Sequence, residues 1–163
     1  MIRNNFLALL GYISIAVIVT LLCSVSFAVF GNGNPPPLAL SFSIPILAAI
    51  PILFILVGKY VLKPQISSLA DFLSVLLPCL LGLLCTPSIA FYKPQLYGFA
   101  VTSIYFAYLE PLSMAAVSLG SNWNYLGVGQ GVSGLFLDSL YSVLPVVLMW
   151  VGLRWQVRKR DST

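Results

Sequence analysis

Residues 4–58 carry no charged side chain. Within that stretch the only interruption of apolar character is "GNGNPPP" at 31–37. Glycine and asparagine suit a turn, and three consecutive prolines make a short, stiff connector. The stretch therefore reads as two apolar segments, 6–30 and 38–58, joined by a short link. Each can cross a hydrocarbon core about 30 Å thick, which takes roughly 20 residues of helix. The opening "MIRNN" followed by an uncharged run has the look of a signal peptide. Residues 6–30 exceed the roughly 7–15-residue core of a secretory signal, however, so they are expected to stay as a first span.

The rest of the chain continues the pattern. Of 163 residues, 60% are hydrophobic and 7% charged, against about 25% charged in an average soluble domain. With 8 basic and 4 acidic residues, the chain cannot coat a water-facing surface of its size. Two further apolar runs, 72–91 and 132–153, bring the expected spans to four. Ser68 and Asp71 in "SSLAD" have the spacing of a capping box, which would set the carboxylate against the positive start of the third helix. The expected fold is an all-α integral membrane protein, one membrane domain over 1–163, with the lipid bilayer as its first partner.

Basic residues set the expected orientation, because Lys and Arg near span ends favour the cytoplasm. The deciding segment is 97–119, "YGFAVTSIYFAYLEPLSMAAVSL". If it does not cross, Arg3, Lys59, Lys63, Arg154, Arg158, Lys159 and Arg160 all face inward and only Lys93 faces outward. If it crosses, giving five spans, one side holds Arg3, Lys59 and Lys63 and the other holds the remaining five of the 8. Four spans with both termini cytoplasmic fit better, and Arg154, Arg158, Lys159 and Arg160 act as topology signals. The multi-pass protein is expected in the cell membrane.

Within 97–119, Glu110 precedes Pro111. A residue before proline is pushed out of the α region, and proline cannot donate to the helix ladder. The segment divides into about 97–109 and 111–119, roughly 20 Å and 13 Å of helix. Neither part spans alone. A non-spanning helix–break–helix, within a re-entrant or interfacial segment over about 92–131, is expected on the outer half. A carboxylate at such depth is a candidate for function. Asn122, Asn124 and Trp123 look interfacial. Asp138 lies near the start of the last span, with Ser139, Tyr141 and Ser142 beside it as hydrogen-bond partners. Glu110, Asp138, Asn122, Asn124 and Tyr141 together form the candidate polar site. The plainer reading has Glu110 reaching water at the interface while its neighbours bury; the favoured one gives it the task of completing the hydrogen bonding of the break at Pro111.

Several chemistries find no support. The chain has no His, so imidazole metal sites and His-based general bases are excluded. Cys23, Cys79 and Cys85 all lie in apolar runs, and Cys79 and Cys85 would sit about 120° apart on one helix; they read as buried small hydrophobes. They do not supply the paired exposed cysteines of the four-helix thiol oxidoreductases. Residues 129–134 match G-x-G-x-x-G, without the preceding strand and downstream acid that a dinucleotide site needs. "YLGVGQG" at 125–131 looks faintly like the filter of potassium channels. That family's threonine before the first valine or isoleucine is absent, as is the tyrosine between its glycines, so no channel role carries over. The net charge of +4 sits largely at a span end and does not point to nucleic acid. No cofactor is implied.

Pro45, Pro51, Pro78, Pro87 and Pro145 fall within or at the ends of spans, where proline is common. Gly82 and Thr86 form a small-xxx-small step suited to close helix contact. The expected role is non-enzymatic: a subunit or accessory factor that packs against another membrane protein or a second copy of itself. The alternative is a small transporter, or an ion or proton permeation element, using Glu110 and Asp138.

Overall fold

In the computed structural model of the full chain, the described residues are 1–30, 36–91, 107–109, 111 and 132–161. All of their regular structure is helical: α1 (Ile2–Phe30), α2 (Pro36–Tyr60), α3 (Ser68–Leu73), α4 (Leu77–Phe91), a 3-10 turn (Ala107–Leu109) and α5 (Val132–Asp161). Among the described residues, three helices are long and apolar enough to cross a membrane, through Ile2–Val25, Ser43–Tyr60 and Ser139–Arg158.

The core follows helical spacing. Ala8, Tyr12, Ile15, Val19 and Cys23 form one buried face of α1, and Ile50 and Phe54 do the same for α2. On α5 the buried face is Ser142, Val146, Met149 and Leu153. These recur every three or four residues, as one side of a 3.6-residue helix requires. The opposite face of α1 is just as apolar: Phe6, Leu10, Ile13, Val17, Leu21 and Val25 all point outward. A helix apolar all round belongs in a protein interior or a bilayer.

Helices α2 and α5 cross at two glycines. A Cβ built on Gly58 would run into the carbonyl oxygen of Met149, and one on Gly152 into that of Ile55. Each glycine therefore lets one backbone touch the other, which is how helices gain dispersion contact where no hydrophobic force draws them together. Sequence reasoning had not singled out Gly58 and Gly152; the step it did single out, Gly82 and Thr86, is on α4, and the side chain of Thr86 lies outside the described residues.

The third expected span departs from its reading. Residues 72–91 are not one helix: α3 ends at Leu73 and α4 begins at Leu77. Pro78 explains the break. It has no N–H for the Ser74 carbonyl, its ring crowds that carbonyl, and it constrains Leu77. In the first turn of a new helix it costs nothing, so the chain stops and restarts. The 15 residues of α4 reach about 22 Å, short of a usual span.

The other ends shift by less. Helix α1 starts at Ile2 and α2 extends over Pro36–Tyr60. Helix α5 runs to Asp161 rather than stopping near 153, since the basic residues that follow are themselves good helix formers.

Candidate functional site

The polar residues gather where the start of α1, the end of α2, α3 and the last third of α5 meet. Asp71 is at the centre, with no exposed surface. Its Oδ1 accepts the backbone N–H of Gln65 at 2.6 Å. Its Oδ2 faces Nη1 of Arg154 at 3.3 Å, in an ion pair whose arginine side chain keeps 38% of its surface. A buried carboxylate needs such company, because leaving it unpaired costs several kcal/mol.

This corrects the reading of Asp71 as the acid of a capping box with Ser68. The N-cap is Ser67, whose side chain accepts from the Ala70 N–H at 3.2 Å. Asp71 stays in the first turn of α3, with one oxygen on the Gln65 N–H just ahead of the cap and the other on Arg154 of α5. Arg154, expected as a topology signal, is its partner.

Asn4 and Asn5 join the same cluster. Asn4 is buried; its Nδ2 donates to the Lys63 carbonyl at 2.7 Å and to Ser74 Oγ at 3.2 Å, and its Oδ1 faces the Lys63 N–H at 3.4 Å. Ser74 Oγ in turn donates to the Asp71 carbonyl at 2.8 Å. Asn5 bridges the helix break: Nδ2 donates to the Leu73 carbonyl at 3.1 Å and Oδ1 accepts the Leu77 N–H at 2.9 Å. One side chain thus serves the last carbonyl of α3 and the first amide of α4, two of the groups that helix ends leave over. Trp150 closes the cluster, donating from Nε1 to the Ser68 carbonyl at 3.2 Å and meeting Phe72 edge-on at 6.3 Å.

These bonds bring the first turn of α1 and the Arg154 turn of α5 to one end of the bundle. Asp138 lies 16 residues before Arg154, about 24 Å away along the axis of α5. The far end of that helix therefore carries Asp138, whose side chain is outside the described residues.

Among the sequence candidates, Glu110, Asn122 and Asn124 lie outside the described residues, as does most of 97–119. What is described of that segment is buried: Tyr108, Leu109 and Pro111. Tyr108 stacks edge-on against Tyr12 and Phe54, with ring centroids 5.8 Å and 5.7 Å away, while Tyr12 and Phe54 lie 5.8 Å apart. Its hydroxyl donates to the Tyr141 carbonyl at 2.6 Å. Tyr141 is therefore a contact of the 97–119 segment, through its backbone. Arg158 is exposed, and the side chains of Lys159 and Arg160 lie outside the described residues. Cys23 and Cys79 are buried thiols, as expected; the side chain of Cys85 is not described. No three His, Cys, Asp or Glu side chains come together as metal ligands among the described residues.

Sequence reasoning missed Asn4 and Asn5. The available signal was two adjacent amides ahead of a long apolar helix, where a bilayer-facing start would do as well with any small polar residue. No protein family matches this sequence, nor does any curated protein or solved structure.

Proposed function

We propose that the chain is a multi-pass membrane protein whose polar end, with Asn4, Lys63, Asp71 and Arg154, faces the cytoplasm. The support is the double-sided apolar character of α1 together with the basic residues at that end: Arg3, Lys59, Lys63, Arg154 and Arg158. Single cysteines placed at 33, 93, 124 and 162 in a cysteine-free chain should label from outside, outside, outside and inside. Labelling of position 124 from the cytoplasmic side alone would sink this topology.

Within the membrane the protein acts as a subunit or accessory factor that packs against a larger membrane protein. One observation carries this reading. The amides of Asn4 and Asn5 and the Asp71–Arg154 ion pair find their partners within the chain, and what α1 offers outward is an apolar surface from Phe6 to Val25. A tagged chain solubilised in mild detergent should copurify with a larger membrane protein at fixed stoichiometry, and substitution of Leu10 and Val17 by larger or polar residues should release it. Acid-dependent ion flux in liposomes holding the chain alone, abolished by Glu110→Gln, would replace this reading with a permeation element.

A further inference from the structure

Lys59, Tyr60, Trp155 and Arg158 form a separate feature at the polar end, where the ends of α2 and α5 come together. Lys59 Nζ lies 4.6 Å from the centroid of the Trp155 ring and 5.0 Å from that of Tyr60, inside the range of a cation–π contact. Both rings are turned outward, Tyr60 with 70% and Trp155 with 56% of its surface exposed. Arg158 is exposed too; it follows Trp155 by three residues and Arg154 by four, the spacing of helical neighbours.

Charge at this end is unbalanced. Among the described side chains the nearby acid is Asp71, and it is fully buried and held by Arg154. Lys59 is given two rings, and among the described side chains neither Lys59 nor Arg158 is given an acid within ion-pair distance. Tryptophan and tyrosine at the end of a long apolar helix mark the level of lipid headgroups. An ammonium held there beside two aromatic faces, with an exposed guanidinium one helical turn beyond Trp155, matches a phosphate with a glycerol and acyl region below it.

We infer that Lys59 and Arg158 bind the phosphate of an anionic phospholipid, with Tyr60 and Trp155 packing against its glycerol and upper acyl chains. Arg3 and Lys63 add to the field that favours an anionic lipid over a zwitterionic one. The inference rests on the membrane reading above and is independent of the accessory role.

The test uses the full chain in neutral detergent, given phosphatidylglycerol, phosphatidylcholine or inorganic phosphate at equal phosphate concentration. Lipid retention is read by native mass spectrometry and stability by the midpoint of thermal unfolding. Phosphatidylglycerol should be retained and raise the midpoint; the other two should do neither. Lys59→Gln and Arg158→Gln should each weaken the response to phosphatidylglycerol, read against each variant's own lipid-free midpoint, about fivefold, the size expected for one basic side chain at an anionic surface. Arg3→Gln removes the same charge from α1 and should change the response less than twofold. Equal retention of phosphatidylcholine overturns the inference. So does an equal effect of inorganic phosphate, which would mark a simple anion site, or an equal loss with Arg3→Gln, which would mark diffuse charge. Failure of the chain to insert into liposomes would overturn the membrane reading instead.

Discussion

The Tyr108 hydroxyl donates at 2.6 Å to the carbonyl of Tyr141, which is the carbonyl that Pro145 leaves without its helical amide. In an α-helix the N–H of residue 145 would bond to the C=O of residue 141, and proline has no N–H to give. A side chain from a distant segment fills the place. The proline is thus more than a kink: it opens an acceptor on α5 at which the Ala107–Leu109 turn is fastened, between Tyr12 and Phe54.

Tyr108→Phe should destabilise the folded chain by about 1 kcal/mol, the net value of one neutral hydrogen bond. Pro145→Ala restores the helical amide as a competing donor. In that background Tyr108→Phe should cost less than half as much. A double-mutant cycle by reversible unfolding in mixed micelles reads the difference; equal costs in both backgrounds would separate the two residues.

Gly58→Ala and Gly152→Ala should each destabilise by roughly 1–3 kcal/mol or prevent folding, since the added methyl meets backbone that cannot turn aside. Gly11→Ala should cost less. Its Cβ would meet Val57 Cγ1 at 2.7 Å, a side-chain methyl rather than backbone. Unfolding midpoints of the three variants in one detergent give the order, and a Gly11→Ala as damaging as Gly152→Ala would refute it.

Removing the guanidinium with Arg154→Leu should cost on the order of 2–3 kcal/mol. That is somewhat below the loss for a fully buried pair, because Arg154 keeps 38% of its side-chain surface. Asp71→Asn keeps an acceptor for the Gln65 N–H and should cost less than Asp71→Ala. Combined with Arg154→Leu, Asp71→Asn should recover part of the loss, because no carboxylate is then left unpaired. An additive double variant would argue against coupling.

Asn5→Leu should loosen the helix break locally, because it strips partners from both the Leu73 carbonyl and the Leu77 amide. Hydrogen exchange at Leu77 should accelerate at least tenfold, while amides in the middle of α5 keep their wild-type rates. Unchanged protection at Leu77 would show that Asn5 does not hold the break.

The apolar runs were legible because length and hydropathy report directly on helices α1, α2 and α5. The interruption at 74–76 was not. Pro78 looked like any proline inside a span, and nothing local says whether a helix kinks through proline or stops before it. Asp71 was misread for a related reason: the cap falls on Ser67 rather than Ser68, and sequence spacing does not resolve a shift of one residue. The partnership of Asp71 with Arg154 joins residues 83 apart, which no local pattern encodes. The crossing glycines were visible only as "VGK" and "VGL", each a lone glycine near a basic residue.

That separation has a bearing on how the chain is made. A ribosome releases Asp71 long before it reaches Arg154, 83 residues later, and the intervening chain includes α4 and much of α5. Until then the carboxylate lacks the guanidinium that pairs with it in the folded chain. Arrival of Arg154 completes the packing of segments already delivered. Nascent chains arrested before Arg154 emerges should therefore leave Asp71 open to solvent and the early helices susceptible to quality-control proteases.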